Sequence, residues 1–417
     1  MKRRQFISRS SVVAGAVPFI NYIPNLSADK LRVGVIGCNG MGWSNIRSLL
    51  KMADVDCVAI CDVDANVVAK RVKDYAEVRS NEVSTFANYE DLLASKEVDA
   101  VVIGTPDHWH CKILCDALEA GKHIYCEKPL ANSIEEAYLM RRAAAAHPKL
   151  KVQIGQWQRS GPHYQQAIDI VRSGDLGNIR LVKTWAYLGW MKPMVAMPDK
   201  PVPEGVDYDM WLGPAPKRPF NPNRFHFNFR WFWDYAGGLM TDWGVHEIDI
   251  ALFAMNADAP KSVMASGGKL AYPDDPAETP DTLQAIFEYE NFNMLWEHAT
   301  GIDNGPYNRR EGIAYIGNNG TLVVDRQGFE VIRENESQGY STEGEALMRL
   351  IEPVKRPEGV NYLDLHTSNF VQSIRTDDAS ILKTPIVSGS VAAINAHMGN
   401  VAFKTGEKIY WDASKSM

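Results

Sequence analysis

Three of the four ionisable side chains in the mostly apolar and aromatic run AGGLMTDWGVHEIDIALF, residues 236–253, recur at helical spacing. Asp242, His246 and Asp249 are spaced i, i+4, i+7, so a helix would place them along one face. Burying such groups is costly unless they pair or do chemistry. With a pKa of about 6.5, an imidazole suits proton transfer at neutral pH. The run predicts a catalytic His246, with Asp242 holding the imidazole or a substrate hydroxyl and Asp249 orienting its other nitrogen. The alternative is internal pairing in a domain interface.

A glycine-rich turn, GCNGMG, follows the β-branched run KLRVGVI. It matches the dinucleotide fingerprint G-x-G-x-x-G except at position 39, where asparagine, which tolerates left-handed backbone, replaces glycine. Asp62 follows Gly42 by 20 residues, where a carboxylate would bind ribose hydroxyls and repel a 2′-phosphate. The alternative is a tight turn without a ligand. We predict a site for NAD, in preference to NADP, that includes Gly37, Asn39, Gly40, Met41, Gly42 and Asp62.

The chain has two parts that differ in sequence pattern. Short apolar strands alternate with helical segments over residues 30–150, which predicts a doubly wound parallel Rossmann sheet. From residue 151, long alternating segments such as IRLVKTWAYLGW and EGIAYIGNNGTLVVDR predict an α+β domain, 151–417, with a large open, mainly antiparallel sheet. The expected fold class is α/β, with the chemistry at the edge of the first sheet.

The composition of the whole chain argues against several classes of function. The 417 residues are 45% apolar and 23% charged, enough for two domains with substantial cores. A net charge of −7 without a basic stripe argues against a nucleic-acid partner. All six cysteines fall in the first third of the chain and none has CxxC spacing, so neither a disulfide framework nor a metal site is predicted.

The N-terminus, MKRRQFISRSSVVAGAVPFI, pairs two arginines with a weakly apolar stretch. This pattern predicts a twin-arginine export signal over residues 1–29 and a periplasmic or otherwise exported protein. The apolar stretch is too short and polar for a stable membrane span. The alternative is a basic, disordered terminus.

Two further motifs follow predicted strands: TPDHWH after AVVIG, and EKP after HIYC. Together with the glycine-rich turn and the run at 236–253, they resemble the motifs of the Gfo/Idh/MocA oxidoreductase family over nearly all of residues 30–417. The resemblance implies a cofactor cleft that includes Thr105, Pro106, His108, His110, Glu127 and Lys128. The two histidines are equally compatible with locking the loop.

The resemblance also assigns roles. It implies a catalytic Lys128 beside the nicotinamide, often next to a cis Lys128–Pro129 bond, and a catalytic pair Asp242 and His246. Oxidising a secondary alcohol moves a hydride to the nicotinamide and a proton to a base, with Lys128 donating to the substrate oxygen. It further implies that the open sheet packs against another subunit in a homodimer or homotetramer.

The expected substrate is a sugar, polyol or glycoside, since tryptophan faces stack on sugar rings. Candidate substrate contacts, for which plain packing is equally compatible, are Arg159, Tyr187, Trp190, Lys192, Trp231, Asp242 and Asp249. An exported enzyme meets no free nicotinamide pool, so we expect tightly held NAD. One alternative is a redox-neutral glycoside hydrolase or lyase that works through a keto-sugar, with Tyr187 as a second base. Another is a non-catalytic protein that binds sugar or cofactor.

Overall fold

The computed structural model describes residues 30–412 apart from positions 338, 340, 342 and 343, so the predicted export signal at 1–29 lies outside the described residues. A six-stranded, wholly parallel sheet in the order β3-β2-β1-β4-β5-β6 forms first. Its strands and their helices are, in chain order, β1 (Leu31–Ile36), α1 (Gly40–Leu49), β2 (Val55–Cys61), α2 (Ala65–Ala76), β3 (Ser84–Phe86), α3 (Tyr89–Ala94), β4 (Ala100–Ile103), α4 (Asp107–Glu119), β5 (His123–Cys126), α5 (Ile134–Ala146) and β6 (Val152–Ile154).

This sheet is buried on both faces, as the near-continuous apolar runs of its strands require. Val33, Val35 and Ile60 pack on one face, while Ile103 and Ile124 belong to the main core on the other. Strand β6 pairs with β5, so the first sheet extends past the predicted boundary at residue 150. The predicted doubly wound parallel sheet is confirmed.

The second sheet has nine strands in the order β14-β13-β12-β11-β7-β10-β9-β8-β15, and all pairs are antiparallel except β7 with β10. The remaining elements are α6 (Pro162–Ser173), β7 (Leu181–Leu188), α7 (Tyr208–Leu212), α8 (Gly238–Asp242), α9 (Gly244–Met255), β8 (Ser262–Gly268), β9 (Thr282–Glu288), β10 (Asn293–Thr300), β11 (Glu311–Ile316), β12 (Gly320–Asp325), β13 (Gly328–Arg333), β14 (Val354–Lys355), α10 (Tyr362–Arg375), α11 (Ile386–Thr405) and β15 (Ile409–Tyr410). The large, mainly antiparallel sheet is therefore confirmed.

The two faces of this second sheet differ. Helices α6, α9 and α11 cover one face, where Val182 and Leu188 of β7 join the main core. On the other face Trp185 and Val323 form a small separate cluster. This open face also carries exposed apolar side chains, about half accessible, at Leu181, Met264, Ile286 and Ile332.

The run at 236–253 forms two helices, where one continuous helix was expected. Helix α8 ends at Asp242, and α9 begins at Gly244 after the connecting residue Trp243. The break leaves the last carbonyls of α8 without intrahelical partners, and they become available to other donors. Among the described helices, none combines the length and apolar content needed to cross a membrane.

Candidate functional site

A cavity of about 380 Å³ opens at the carboxyl ends of the parallel strands, where doubly wound sheets hold their ligands. The strand loops contribute the predicted residues Gly37, Asn39, Gly40, Met41, Asp62, Thr105, Pro106, Glu127 and Lys128. A later segment contributes Met210, Trp211, His226, Phe227, Phe229 and Arg230. Gly42, His108 and His110, which were also predicted to bind the cofactor, are not among the residues that line the cavity.

The glycine-rich turn brings backbone amides to the cavity. Gly37 and Gly40 have positive φ angles of 77° and 40°. A Cβ atom on Gly42 would lie 2.0 Å from the Gly37 carbonyl oxygen, so only glycine lets α1 begin so close to β1. Gly42 therefore acts through packing. The N-terminus of α1 at the cavity wall suits a pyrophosphate group.

Asn39 differs from the expectation in its backbone. Its φ is −84°, outside the left-handed region. A tolerance for left-handed backbone therefore does not explain why asparagine replaces glycine at this position. Its Oδ1 atom caps α1 by accepting a hydrogen bond from the Gly40 amide (3.0 Å), and it accepts a second from Arg71 Nη2 (3.1 Å). The asparagine is compatible with a dinucleotide turn because the fold uses its side chain as a helix cap.

Asp62 lies just beyond β2 at the cavity wall, as the fingerprint requires. Its carboxylate accepts hydrogen bonds from the Cys38 amide (2.9 Å) and the Asp64 amide (3.2 Å). Burial raises its pKa, and these two amides oppose the rise. A fixed carboxylate next to the glycine turn can accept from ribose hydroxyls and would repel a 2′-phosphate.

His108 and His110 bond to backbone carbonyls, which agrees with the alternative that they lock the loop, and their contact with a cofactor stays a prediction. His110 Nδ1 lies 2.8 Å from the Pro129 carbonyl oxygen, and its Nε2 lies 3.0 Å from that of Thr105. His108 Nε2 lies 3.0 Å from the Trp211 carbonyl oxygen. Burial lowers the pKa of both imidazoles to about 4. They are neutral at physiological pH and serve as fixed braces.

Thr105 offers a direct test of whether a ligand fits the cavity. Its hydroxyl is buried and has no hydrogen-bond partner in the structure. Buried hydroxyls are rarely left unpaired, so an orphaned one at a cavity wall indicates a polar group that a ligand supplies. Together with the glycine turn and Asp62, the residues present fit a bound dinucleotide.

The E-K-P motif directs Lys128 into the same cavity. Glu127 is buried, and its carboxylate accepts hydrogen bonds from Asn45 Nδ2 (2.8 Å) and from the Lys128 amide (3.2 Å). Burial raises the pKa of Glu127. The Lys128–Pro129 bond is cis, as the resemblance implied. Glu127 therefore fixes the backbone from which Lys128 projects.

Lys128 and Asp242 form the centre of the site. Lys128 Nζ donates to Asp242 Oδ1 (2.7 Å) and to the Asp242 carbonyl oxygen (2.9 Å), which is free because α8 ends there. Arg230 Nε also donates to Asp242 Oδ1 (3.1 Å). Burial favours a raised pKa for Asp242, but Lys128 and Arg230 outweigh it and hold the pKa well below its usual range. Asp242 is therefore a permanent anion that fixes both cations.

His246 lies in the first turn of α9, and its charge interacts with Lys128 and Asp242. Its Nδ1 atom is buried without a partner, and its ring lies 5.9 Å from that of Trp157. Burial lowers its pKa well below the expected near-neutral value, and Lys128 and Arg326 lower it further. The imidazole is neutral at physiological pH and can accept a proton.

Asp249 and Arg159 bind each other, contrary to the predicted substrate contacts. Arg159 Nε and Nη2 donate to the two carboxylate oxygens of Asp249 at 2.7 and 2.8 Å. The side chains are 8% and 1% exposed, so neither is free to reach a ligand. Asp249 therefore does not orient His246, whose Nδ1 has no partner.

The other predicted substrate contacts are scattered. Tyr187 lies with Trp185 on the open face of the second sheet, opposite the helix layer that holds His246, so within this chain it cannot act as a second base in the cleft. Lys192 and Trp231 line a separate pocket of about 50 Å³. Trp190 is half exposed and contacts Phe227, which does line the main cavity (ring centroids 6.3 Å apart).

Among the cavity residues that were not predicted from the sequence, two carry charged side chains close to Lys128. Asp107, within TPDHWH, is buried at the cavity wall, and Arg230 comes from a segment whose path was not predicted. For Asp107 the signal was present, because it is an ionisable residue inside a motif already singled out. Within the described residues, no three His, Cys, Asp or Glu side chains lie close enough together to hold a metal ion.

Residues 205–230, here called the covering segment, close the cavity from the second part of the chain. Gly205 accepts a hydrogen bond from the Ala65 amide, and the Asp207 amide donates to Val63, both at 2.8 Å. His226 Nε2 lies 3.0 Å from Asp64 Oδ2. These contacts join the covering segment to the turn between β2 and α2, so the cavity has walls from both parts of the chain.

Comparison with known proteins agrees with this architecture. Residues 31–156 match the model of an oxidoreductase family described by its NAD-binding Rossmann fold, and residues 178–275 match that family's C-terminal alpha/beta domain. The uncharacterized oxidoreductase YrbE of Bacillus subtilis (strain 168) is 27% identical over 301 residues, 71% of this chain and 74% of YrbE.

Two inositol dehydrogenases are also similar to this chain. The inositol 2-dehydrogenase/D-chiro-inositol 3-dehydrogenase of Shouchella clausii (strain KSM-K16) is 35% identical over 137 residues, 33% of this chain and 38% of that protein. The crystal structure of myo-inositol 2-dehydrogenase from Lactobacillus plantarum has the same fold, with a TM-score of 0.66 and 18% identity, over 92% of this chain and 100% of that one.

Proposed function

The chain belongs to the Gfo/Idh/MocA family of NAD-dependent oxidoreductases, and from this premise we propose that it oxidises a secondary hydroxyl of a sugar, polyol or glycoside with tightly held NAD. The observation that carries the proposal is the contact of Lys128, which lines the cavity, with Asp242, which ends α8 four residues before His246. Lys128 is the proton donor at the cavity wall, and the anion Asp242 and the neutral base His246 interact with it, although neither is among the residues that line the cavity.

Each residue has a defined task in this reaction. Bound NAD supplies the acceptor for the hydride. Lys128 donates a hydrogen bond to the substrate oxygen and stabilises the charge that develops there. His246 accepts the hydroxyl proton, because its lowered pKa keeps the ring neutral and ready. Asp242 positions Lys128 and Arg230, which replaces the earlier expectation that it holds the imidazole.

A hydroxylated substrate is supported by the surroundings of His246. Trp157 packs against the imidazole, and the Arg326 guanidinium lies between Trp157 and Trp243, 4.7 and 4.4 Å from their ring centroids. Indole faces pack on sugar rings, and a guanidinium donates to hydroxyls. The names of the inositol dehydrogenases among the relatives favour the same substrate class.

Tight retention of NAD is supported by the covering segment. Because it contacts the turn between β2 and α2, we expect the release of a bound dinucleotide to require those contacts to open. Retention suits an exported enzyme, and we extend the proposal to export through the twin-arginine route. Replacing Arg3 and Arg4 by lysine should keep the protein inside the cell, as fractionation would measure; unchanged export would refute this part.

Self-association is the last part of the proposal. The open face of the second sheet exposes Leu181, Met264, Ile286 and Ile332, which a second copy of the chain could bury. We propose a homodimer or homotetramer that uses this face. Ultracentrifugation should show the oligomer, and Ile286→Lys should weaken it; a monomeric parent protein would contradict the assignment.

The decisive experiment follows the near-ultraviolet absorbance of reduced nicotinamide in the purified full-length protein. We expect bound NAD, and a rise of that band when a panel of inositols, hexoses and methyl glycosides is added. A protein that neither contains nor binds NAD would refute the proposal. Bound NAD with no response to any compound would refute the substrate class, and cleaved glycoside without lasting reduction would favour the redox-neutral scheme.

A further inference from the structure

Two half-exposed aromatic rings at the cavity have no part in the proposed reaction. Phe227 lines the cavity, and the ring centroid of Trp190 lies 6.3 Å from that of Phe227. About half of each side chain is exposed. Adjacent exposed apolar side chains mark a binding surface more often than isolated ones do. These two rings are here called the aromatic platform.

The aromatic platform is connected to the residues proposed for the chemistry. Arg230 Nη1 donates to the Phe227 carbonyl oxygen (3.0 Å), and the guanidinium lies over the Phe227 ring, 4.7 Å from its centroid. The same guanidinium donates through Nε to Asp242, the partner of Lys128. The platform therefore lies on the side of the cavity that holds Lys128, where the reacting ring of a substrate must bind.

The chain on either side of Trp190 is anchored, so its ring is presented as a fixed surface. The Gly189 amide donates to Asp303 Oδ1, and the Met194 amide donates to Asp275 Oδ2, both at 3.0 Å. A Cβ atom on Gly189 would lie 2.1 Å from Asp303 Oδ2, so this anchor requires glycine. A ring that is already held in place loses little further freedom when a ligand packs on it.

A second pocket, of about 50 Å³, begins beside the aromatic platform. Met191, next to Trp190 in the chain, lines it, as does Trp231, whose ring centroid is 6.4 Å from that of Phe227. Thr300, the last residue of β10, also lines it, and its buried hydroxyl has no hydrogen-bond partner among the described residues. Buried hydroxyls are rarely left unpaired, so this one indicates a polar partner that the chain itself does not supply.

An aromatic surface beside an unpaired hydroxyl suits a sugar ring, which has an apolar face and a rim of hydroxyls. The proposed oxidation already places one ring at Lys128, so a ring on the platform is a second one. We propose that the substrate is a glycoside of at least two rings, whose second ring packs on Trp190 and Phe227 and places a hydroxyl against that of Thr300. This inference rests on the proposed function and narrows its substrate class to extended glycosides.

The test compares the methyl glycoside of a hexose with disaccharides that carry the same hexose in both anomeric linkages, in the purified full-length protein with its NAD. In the parent, kcat/KM for NAD reduction and the affinity measured by calorimetry should both be about tenfold higher for at least one disaccharide, the size of an aromatic contact. Trp190→Ala should remove most of this preference. Thr300→Val, which replaces the hydroxyl by a methyl group, should reduce it.

Tyr410→Ala is the matched control, because it removes an exposed aromatic side chain from the edge strand β15 and should keep the parent's preference. A parent that reduces NAD with the methyl glycoside and binds it as tightly as every disaccharide would overturn the inference and leave the proposed function standing. So would a Trp190→Ala variant that keeps the preference. If Trp190→Ala fails to fold, Thr300→Val decides.

Two further outcomes distinguish the causes of a failure. A changed sedimentation coefficient of Trp190→Ala would overturn the inference, because the platform would then be an interface between copies of the chain. If no compound reduces NAD in the parent, the proposed function itself fails, and the narrower substrate class fails with it.

Discussion

Lys128 Nζ lies 2.7 Å from Asp242 Oδ1 and 2.9 Å from the Asp242 carbonyl oxygen, although 114 residues separate the two in the chain. One residue comes from the end of a strand in the first sheet and the other from the end of a helix in the second part. The contact exists because α8 stops at Asp242 and leaves its carbonyl free. Lys128 is therefore positioned by both parts of the chain.

Lys128→Met should strongly lower turnover while NAD is retained, because the variant loses the donor to the substrate oxygen but keeps the glycine turn and Asp62. We expect a loss in kcat of about 10²–10³-fold, the size seen when a donor to a developing charge is removed. Steady-state kinetics and cofactor content measure the two effects. Lys217→Met, at an exposed ion pair of the covering segment, is the control; a Lys128 variant as active as the parent would remove the assigned role.

His246→Gln should lower kcat/KM by about 10²–10⁴-fold, the usual contribution of a positioned base. Because burial lowers the pKa of His246 well below its usual value, the parent should not lose this base until the pH falls well below neutral. The pH–rate profile checks both points, with His147→Gln as a control away from the cavity. A fall in kcat/KM centred near the ordinary histidine pKa would contradict the lowered pKa of the buried His246.

Asp62→Ala should weaken NAD binding at least about tenfold, the low end of the value of one lost hydrogen bond to a charged group. Binding of NADP should weaken less or improve, because the carboxylate that repels its 2′-phosphate is gone. Titrations of both cofactors measure the change in preference. Asp54→Ala, whose side chain is 59% exposed, is the control. An unchanged NAD to NADP ratio would mean that Asp62 does not face the ribose.

Arg159→Met should destabilise the fold by about 3–5 kcal/mol, because it leaves the Asp249 carboxylate buried without a partner. The double variant Arg159→Met with Asp249→Leu should recover much of the loss, since no unpaired charge then remains. Urea unfolding measures both. If the single variant keeps its stability but loses affinity for substrate, the predicted substrate role of Arg159 would be restored.

His226→Ala should speed the release of NAD about tenfold, because the contact that joins the covering segment to Asp64 is lost, a change worth about 1.4 kcal/mol. Stopped-flow fluorescence after dilution measures the rate. Lys217→Ala, which breaks an exposed ion pair in the same segment, is the control. Equal release rates in both variants would show that the segment does not retain the cofactor.

Much of the architecture was predictable because local patterns determine it. The β-branched runs, the glycines of the turn and the spacing to Asp62 are all consequences of short-range geometry. The break at Trp243 was not predictable, since the apolar period continues through it. Sequence spacing alone suggested one face for Asp242 and His246, and only the two-helix arrangement explains how Asp242 reaches Lys128.

Ion pairs between residues far apart in the sequence were the other feature that could not be predicted. Arg159 and Asp249 were predicted ligand contacts because their side chains can hydrogen-bond a substrate, and nothing local shows that they neutralise each other across 90 residues. Tyr187 was misplaced for a similar reason, because the period of a strand does not tell which face meets the helices. Arg230 reached the site through a segment with no regular period.

The covering segment has a consequence for how the protein must be made and handled. If the proposed nucleotide lies beneath this segment, it departs only as often as the segment locally unfolds, so its residence time depends on the local stability of residues 205–230. A preparation stripped of nucleotide should be cut more readily by proteases between residues 205 and 230, and should melt at a lower temperature, than one that still carries it.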